Sequence, residues 1–386
     1  MTIISSNIRR DLSSDEVTRF SRQLLLEEIG VAGQERLRAA RVLIVGVGGL
    51  GAPAAIYLAA AGVGTLGLVD ADEVEASNLQ RQIIYGYKDI DRPKVASAAD
   101  RLKDLSPDIK VDTWNLRLDS RNAKKIIEGY DVVVDGTDNF PTRYLISDAC
   151  VLLGKPNVYA SILRFEGQVS VFDARNGPCY RCLYPAPPPP GLVPSCGEGG
   201  VMGVLPGVLG CIQANEAIKL IVGGAPGLTG RLLLFDAWNM TFNEVALEKD
   251  LDCPICGRNP TVTELIDYED FCGLSEPETK IQSLSPTELK EKLAGGGPLQ
   301  IIDIREPHER SLFKFEGTKP IPFGQLVRRI EEFDPKTDLV FICKIGLRSA
   351  FAIRTLQRAG YQGPMYNLDG GVNAWTRRFN PAMVIY

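Results

Sequence analysis

A glycine-spaced turn after a short apolar run most constrains the fold of this chain. Residues 41–51 read Arg-Val-Leu-Ile-Val-Gly-Val-Gly-Gly-Leu-Gly, and Asp70 stands at the end of the next apolar run. This pattern predicts a strand that enters a tight turn and then a helix, whose N–H groups face a phosphate. A carboxylate at the end of the next strand is placed to bind a ribose hydroxyl. The sequence therefore predicts a nucleotide site.

Strand and helix signals alternate along the first part of the chain. Helices are predicted over 13–40 and 121–129, near Pro93 and at Gly207–Val222, and strands at Val111–Leu116 and Tyr130–Gly136. Residues 41–70 predict strand, helix and strand. The uncharged stretch Val42–Val69 is long enough for a membrane span, but its glycines and Pro53 divide it. The alternation indicates an α/β fold with a mostly parallel, doubly wound sheet.

A change in composition predicts the division into domains. Acidic residues cluster between about 262 and 284, with no long apolar run. Strand and helix signals restart at Ser285, with strands at Leu299–Ile304 and Leu339–Ile342. We expect a first domain over residues 10–262, a linker over 263–284 and a smaller α/β domain over 285–386.

The overall composition narrows the function classes. The 386 residues carry a net charge of −5, which argues against a nucleic-acid surface. The beginning of the chain has no apolar stretch of signal-peptide length, so we expect a cytoplasmic protein without membrane contact. A single histidine, His308, argues against a Ser–His–Asp hydrolase and against a multi-histidine metal site.

Polar residues after the second and fourth predicted strands fit a triphosphate. Asn78, Arg81 and Lys94 offer donors and cations suited to phosphates, although the same segment also fits a solvated polar loop. Asp138 could hold Mg²⁺ between phosphate oxygens. Alternatively, Asp138 or Asn139 caps the helix that follows, and the two roles are compatible.

Four of the nine cysteines are arranged as two C-x-x-C pairs. Cys179 and Cys182 form the first pair, and Cys253 and Cys256 the second. Four thiolates match a tetrahedral structural Zn²⁺ that would join two distant segments. The alternative is a pair of redox motifs; two pairs together, with Gly257 after the second, favour a metal.

Two further cysteines are candidate nucleophiles. Cys196 lies in a glycine-rich segment, where its thiol is either accessible or an inert loop residue. Cys343 follows a predicted strand and precedes a helix in Cys-Lys-Ile-Gly-Leu-Arg-Ser. Inward N–H groups, Lys344, Arg348 and the helix dipole would stabilise a thiolate or persulfide there. The alternative for Cys343 is a structural residue at a strand end.

Together these motifs resemble the MoeB/ThiF family, the bacterial relatives of ubiquitin-activating enzymes, fused to a rhodanese domain. The first resemblance covers roughly residues 10–260 and rests on the glycine turn, Ser77-Asn78-Leu79-Gln80-Arg81-Gln82, Pro93-Lys94, Asp135-Gly136-Thr137-Asp138-Asn139 and the two cysteine pairs. The second covers about 280–386 and rests on Ile302–Glu309, the Cys343 loop and Gly370-Gly371-Val372-Asn373-Ala374-Trp375.

The resemblance implies an activity and its residues. ATP would adenylate the C-terminal carboxylate of a small ubiquitin-fold sulfur-carrier protein ending in Gly-Gly, and a Cys343 persulfide would convert the adenylate to a thiocarboxylate. The implied nucleotide-binding residues are Gly49, Asp70, Ser77, Asn78, Leu79, Gln80, Arg81, Lys94, Asp138 and Asn139, with Asp138 positioning Mg²⁺. Arg22 resembles an arginine that reaches the partner subunit's ATP site, which implies a homodimer. Arg81, Asp138, Cys196, Cys343 and Arg348 are the implied catalytic residues.

Some features leave alternatives open. The segment Phe313–Pro320 replaces the usual His-Ile-Pro-Gly-Ala stretch of rhodaneses, so the sulfur donor, such as a cysteine desulfurase or thiosulfate, is not specified. An NAD-dependent oxidoreductase with a degenerate second domain is a competing hypothesis, against which Arg81, Lys94 and Asp138 argue. A non-catalytic binding scaffold is another, against which Cys343 and Asp138 argue.

Overall fold

The computed structural model describes residues 12–189, 193, 199–223, 227–274 and 281–381. These residues form two compact units; the first extends to Gly273, and the body of the second begins at Leu274. Each unit is α/β and is built on its own sheet. The predicted fold class, a large mostly parallel sheet and a second small α/β domain, is confirmed.

The first unit contains an eight-stranded sheet in the order β3-β2-β1-β4-β5-β6-β7-β8. Its strands are β1 (Arg41–Val45), β2 (Thr65–Val69), β3 (Lys110–Trp114), β4 (Val132–Asp135), β5 (Asn157–Leu163), β6 (Glu166–Phe172), β7 (Arg231–Asp236) and β8 (Thr241–Ala246). Strands β1 to β5 pair in parallel, and β6 to β8 continue the sheet as an antiparallel meander. The antiparallel half was not predicted from the sequence.

The helices of the first unit follow the predicted alternation. They are α1 (Ser14–Leu24), α2 (Gly30–Ala39), α3 (Gly51–Ala60), α4 (Lys94–Leu105), α5 (Ala123–Ile127), α6 (Phe140–Leu153), α7 (Tyr180–Leu183), α8 (Leu205–Val222) and α9 (Tyr268–Phe271). The helical stretch predicted over 13–40 is two helices, because the chain turns after Leu24 and Gly30 adopts a left-handed backbone with φ +52°.

The central strands are buried on both faces, which explains their unbroken apolar sequences. Val42 and Ile44 of β1 belong to a core cluster with Leu58 of α3, whereas Leu43 and Val45 belong to a second cluster with Tyr144 of α6. Side chains alternate between the two faces of a strand, so each face of the sheet is covered by its own helices.

Helix α8 is the one helix in the described parts of the chain that is long and apolar enough to cross a membrane, by length and composition alone. It packs on α2, α3 and strands β5 and β6, and Leu209, Ala214 and Ile221 lie in the core. Its apolar composition is thus accounted for by burial inside the first unit. The stretch Val42–Val69 forms β1, α3 and β2, as predicted.

The strand order determines where a ligand crevice lies on the first sheet. Strand β1 lies between β2 and β4. The chain therefore builds the sheet outward from β1 on one side through β2 and β3, and on the other side through β4 and β5. At such a switch point a crevice opens beyond the carboxyl ends of the strands. The glycine turn after β1 and the acidic turn after β4 meet at this crevice.

The second unit is a five-stranded parallel sheet in the order β11-β10-β12-β13-β9. Its strands are β9 (Gln282–Leu284), β10 (Leu299–Asp303), β11 (Thr318–Pro320), β12 (Asp338–Ile342) and β13 (Met365–Leu368). Its α-helices are α10 (Pro286–Ala294), α11 (Pro307–Leu312), α12 (Leu347–Arg358) and α13 (Gly371–Phe379), with 3₁₀ turns at Phe323–Gln325 and Val327–Glu332. Two apolar clusters cover the two faces of this sheet.

Candidate active site

The glycine turn after β1 is held by backbone contact and by one carboxylate. Gly46 has φ +84°, and a Cβ there would lie 2.8 Å from the carbonyl oxygen of Gly136. Asp70 accepts hydrogen bonds from the backbone N–H of Val47 at 2.8 Å and of Asp72 at 2.9 Å. Burial raises the pKa of Asp70, and the Lys94 ammonium opposes this rise. Asp70 therefore fixes the turn and also faces the crevice.

The crevice is a cavity of about 490 Å³. Six residues predicted to bind the nucleotide line it: Gly49, Asp70, Arg81, Lys94, Asp138 and Asn139. Further lining residues were not among the predicted binding residues, although Gln82 and Thr137 stand in the quoted motifs; Arg117 and Arg143 are others. A volume between 300 and 1,000 Å³ is typical of small-ligand sites.

Two predicted cations line the cavity. The side chain of Lys94 is only 8% exposed, and its Nζ lies 2.7 Å from Oδ2 of Asp72. Arg81 donates from Nη1 to the carbonyl oxygen of Ser77 at 3.1 Å. Arg117, whose side chain is 75% exposed, adds a third cation to the lining. With Arg143, which also lines the cavity, four cations favour a polyanionic ligand there.

The turn after β4 combines an exposed acid with a helix cap. Asp138 is exposed, whereas the side chain of Asn139 accepts from the backbone N–H of Thr142 at 3.0 Å and caps α6. Of the two capping candidates, Asn139 therefore takes that role. The buried Asp135 accepts from the Thr137 hydroxyl at 2.6 Å and fixes the start of the turn.

Arg143 of α6 holds this turn through a buried hydrogen bond, and no sequence motif predicted this role. Its side chain donates from Nη2 to the carbonyl oxygen of Thr137 at 3.0 Å. Its guanidinium carbon lies 5.6 Å from the ring centre of Phe140 and 5.7 Å from that of Tyr159. Burial raises the pKa of Asp135, and the Arg143 charge opposes this rise.

The other predicted nucleotide residues lie beside the cavity or away from it. Ser77, Asn78, Leu79 and Gln80 belong to the segment that starts with the 3₁₀ turn Ala76–Asn78, next to Arg81, and are not among the lining residues. Arg22 is exposed on α1 and does not line the cavity either. Cys196 lies outside the described residues.

The two C-x-x-C pairs come together. Sγ–Sγ distances are 3.8 Å for Cys179–Cys182, 3.6 Å for Cys179–Cys253 and 3.4 Å for Cys182–Cys256, and all four sulfurs lie within 4.8 Å of one another. A tetrahedron with metal–sulfur bonds of ~2.3 Å has edges of ~3.8 Å. The four cysteines could therefore hold one metal ion.

A buried ion pair supports the first cysteine pair. Arg181, between Cys179 and Cys182, donates from Nε and Nη2 to the two carboxylate oxygens of Asp148, each at 2.8 Å. The side chains are 2% and 0% exposed. Tyr268 of α9 donates its hydroxyl to the same carboxylate at 2.8 Å. This contact ties the segment after the second cysteine pair to α6.

In the second unit, Cys343 ends β12 at the start of a tight loop. Its Sγ accepts from the backbone N–H of Gly346 at 3.1 Å and lies 3.3 Å from the hydroxyl oxygen of Ser349. Gly346 has φ +90°, and a Cβ at Gly371 would lie 2.5 Å from the Cys343 carbonyl oxygen. Glycines at both positions thus allow the loop to close around the sulfur.

Arg348, which the sequence predicts to act on Cys343, forms an ion pair with a carboxylate on α11. Its Nη1 donates to Glu309 at 2.9 Å, and Nη2 donates to the other oxygen of that carboxylate. Burial raises the pKa of Glu309, but the bonds from Arg348 outweigh it, so the pKa lies below its usual range. The pair joins α12 to α11, and the described contacts to the sulfur come from Gly346 and Ser349.

Comparisons with known proteins cover nearly the whole chain. The sequence model of the ThiF family matches residues 20–255, and that of the rhodanese-like domain matches residues 285–378. The probable adenylyltransferase/sulfurtransferase MoeZ of Mycobacterium tuberculosis is 45% identical over 97% of this chain and 96% of its own length. The adenylyltransferase and sulfurtransferase MOCS3 of Sus scrofa is 45% identical over 95% of this chain and 87% of its own length.

Solved structures share the fold of the first unit at lower identity. Escherichia coli MccB, crystallised with AMPCPP and MccA, is 21% identical with a TM-score of 0.58, over 64% of this chain and 76% of MccB. PaaA is 23% identical with a TM-score of 0.54, over 64% of this chain and 79% of PaaA. The predicted resemblance is confirmed: this chain belongs to the ThiF family and carries a C-terminal rhodanese-like domain.

Proposed function

We propose that this chain adenylates the C-terminal carboxylate of a small ubiquitin-fold sulfur-carrier protein ending in Gly-Gly, and then uses Cys343 to form a thiocarboxylate. The cavity at the carboxyl ends of β1 and β4, lined by Arg81, Lys94 and Asp138, carries this proposal. The same chain holds Cys343 in a loop with N–H and O–H groups around its sulfur. The names of the relatives agree with both steps.

The adenylation step needs close approach to phosphates and compensation of charge. The carboxylate attacks the α-phosphorus of ATP, and the bond to the β-phosphate oxygen breaks to release pyrophosphate. Lys94 and Arg81 offset the charge that develops on the leaving group. Gly49 admits the phosphates close to the backbone, and Asp70 binds the ribose hydroxyls through its remaining lone pairs. Ser77, Asn78, Leu79, Gln80 and Asn139 complete the predicted nucleotide set.

Asp138 is our candidate ligand for Mg²⁺. Its carboxylate is exposed at the edge of the cavity, on a turn that Asp135, Arg143 and Asn139 hold from neighbouring positions. Carboxylate oxygens and phosphate oxygens are the ligands that Mg²⁺ prefers. When bound, Mg²⁺ would neutralise phosphate charge.

Sulfur transfer follows from the Cys343 thiol. A donor such as a cysteine desulfurase or thiosulfate passes a sulfane sulfur to the thiolate. The terminal sulfur of the persulfide attacks the acyl carbon, the bond to AMP breaks, and the acyl group becomes attached to Cys343 through a disulfide. Attack of a second thiol on Sγ of Cys343 releases the thiocarboxylate and leaves Cys343 in a new disulfide, which two further thiol equivalents reduce through a mixed disulfide. Cys196 is a candidate for the second thiol. Arg348 supports the loop through Glu309.

The remaining expectations concern assembly. We infer that Cys179, Cys182, Cys253 and Cys256 bind one structural Zn²⁺, on the basis of their tetrahedral spacing. We also infer a homodimer in which the exposed Arg22 of one subunit reaches the ATP site of the other. A cytoplasmic location, without contact to membranes or nucleic acid, and the domain boundaries at 262 and 285 stay predictions.

ATP–pyrophosphate exchange in the presence of the carrier protein tests the adenylation proposal. Asp138→Ala is expected to abolish exchange, because the phosphate charge loses its compensating metal. Asp108→Ala, which removes an exposed carboxylate in a distant turn, is the matched control and should keep the wild-type rate. Normal exchange in the Asp138 variant, or hydride transfer to a nicotinamide cofactor in the wild type, would overturn the assignment.

A further inference from the structure

A short hydrogen-bonded chain leads from the Cys343 sulfur into the core of the second unit. Ser349 lies in the first turns of α12, and its hydroxyl oxygen is 3.3 Å from Sγ of Cys343 and 2.6 Å from Oδ1 of Asn367 on β13. Cys343 and Ser349 are fully buried, and Asn367 is 7% exposed. Burial excludes bulk water as the regular partner of these groups, so they must satisfy one another.

The hydroxyl of Ser349 has one proton and several acceptors within reach. Besides the sulfur and the amide oxygen, the carbonyl oxygen of Gly346 lies 3.1 Å away. In the observed arrangement the amide oxygen of Asn367 faces the hydroxyl at the shortest of these distances, so it takes the proton. The oxygen of Ser349 is then left as an acceptor towards Cys343, which suits a neutral S–H group.

A charged sulfur requires the opposite direction. A thiolate has no proton to donate and needs donors. If the amide of Asn367 turns by 180°, its NH₂ group donates to the Ser349 oxygen, and the hydroxyl proton becomes available to the sulfur. The same three side chains thus form one hydrogen-bonded chain with two directions, one for the thiol and one for the thiolate.

The negative charge appears on this sulfur twice in each sulfur transfer. With thiosulfate as donor, the Cys343 thiolate attacks the sulfane sulfur and the sulfur–sulfur bond of thiosulfate breaks to release sulfite. The charge then resides on the terminal sulfur of the persulfide. When cyanide attacks that terminal sulfur, thiocyanate leaves and the charge returns to Sγ. A donor that points at Sγ therefore raises the thiolate fraction before the first half-reaction and stabilises the leaving thiolate in the second.

We propose that Ser349 is a further catalytic residue of sulfur transfer, and that Asn367 positions its hydroxyl proton towards Cys343 when the sulfur is charged. Gly346 supplies a second, fixed donor at 3.1 Å from the same sulfur. Ser349 and Asn367 come from α12 and β13, neighbours that meet only in the folded unit, so sequence spacing gives no sign of the pairing. The proposal rests on the proposed role of Cys343 as the sulfur carrier.

Thiosulfate:cyanide sulfurtransferase activity of the full-length chain tests the proposal. Ser349→Ala should lower kcat by roughly 10- to 100-fold, the loss expected for one hydrogen bond to a charged group. It should also move the pH profile of Cys343 alkylation by iodoacetamide to higher pH. Ser349→Thr keeps the hydroxyl and should recover most of the rate. Thr355→Ala removes a hydroxyl from the same helix, whose described hydrogen bond goes to the Phe351 carbonyl oxygen, and it should behave as the wild type.

Variants of Asn367 test the relay. Asn367→Leu should lower kcat less than Ser349→Ala, and the double variant should be no slower than Ser349→Ala alone, because Asn367 acts through the hydroxyl. Additive losses in the double variant, or a wild-type rate and pH profile in Ser349→Ala, would overturn the inference. Cys343→Ala distinguishes a failure of the proposed function from a failure of this inference. Sulfurtransferase activity in Cys343→Ala would contradict the proposed function. An inactive Cys343→Ala together with a fully active Ser349→Ala would contradict only the inference about Ser349.

Discussion

Replacing Arg181 by methionine should loosen the segment that follows the second cysteine pair. The Arg181 guanidinium makes two hydrogen bonds of 2.8 Å to Asp148, and both side chains are almost wholly buried. The same guanidinium lies 4.4 Å from the ring centre of Phe271. Methionine fills much of the space but leaves the Asp148 carboxylate with the Tyr268 hydroxyl as its remaining described partner.

The expected cost follows from the burial of this pair. Removing one member of a buried ion pair costs about 3–5 kcal/mol, because the other charge stays buried without compensation. Loss of the contact with Phe271 adds about 1 kcal/mol. If the docking of α9 depends wholly on this pair, the combined cost makes its local opening more frequent by roughly 10³- to 10⁴-fold.

Alkylation of Cys272 reports that opening. Cys272 follows α9 and is 5% exposed, and burial raises its pKa to about 11, so it should react slowly in the folded wild type at pH 8. Arg181→Met should speed its modification by iodoacetamide, measured on the peptide by mass spectrometry, and lower the free energy of unfolding in urea. Metal content is measured in parallel, since Arg181 stands between two of the metal-ligand candidates.

An exposed pair supplies the control. Arg121 donates from Nε and Nη2 to a single oxygen of Asp119, and its side chain is 89% exposed, so Arg121→Met should change the stability far less than Arg181→Met. The double variant Arg181→Met/Asp148→Leu should be more stable than Arg181→Met, because no unpaired charge remains. Wild-type alkylation of Cys272 together with wild-type stability in Arg181→Met would refute the reasoning.

Further predictions concern the metal, the phosphates and pH. Elemental analysis should find one zinc per chain, and Cys253→Ser should lose it and unfold more easily; a stable, zinc-free wild type contradicts the assignment. Lys94→Met should slow pyrophosphate exchange about a hundredfold without changing rhodanese activity, and unchanged exchange would remove Lys94 from the site. Because the pKa of Glu309 is lowered in the folded state, its carboxylate stabilises the second unit at pH values above the usual carboxyl pKa. This stabilisation is lost as the pH falls through the pKa that Glu309 has in the folded state. The free energy of unfolding should therefore depend less on pH in the acid range in Glu309→Gln than in the wild type. An unchanged pH dependence would contradict the pairing of Glu309 with Arg348.

The sequence could bring the predicted nucleotide residues to one place because these residues lie next to strand ends. Parallel strands bring their carboxyl ends to one edge, so Gly49, Asp70 and Asp138 line the same cavity although the chain separates them widely. The cysteine cluster could be predicted because two C-x-x-C pairs supply four identical ligands, a pattern that few other structural roles require.

Other features depend on packing that the sequence does not display. Arg143 looks like an ordinary helix residue, yet burial under the Thr137 carbonyl gives it a role in the site. Within the acidic stretch after 262, which was predicted as a linker, Tyr268 and Cys272 pack in the core of the first unit, and the Tyr268 hydroxyl donates to the carboxylate of Asp148. The pairing of Arg348 with Glu309 of α11 has no signal in the sequence, and the role predicted for Arg348 at Cys343 stays a prediction.

Sulfur incorporation into a Gly-Gly carrier by the Cys343→Ala chain tests the central claim most directly. The account predicts that this variant keeps ATP–pyrophosphate exchange and forms no thiocarboxylate from thiosulfate or a cysteine-desulfurase donor, because adenylation and sulfur transfer use separate sites. Mass spectrometry of the carrier reads the exchange of one oxygen for sulfur. Thiocarboxylate formed at the wild-type rate from the same donor would contradict the account and direct attention to Cys196 or free sulfide.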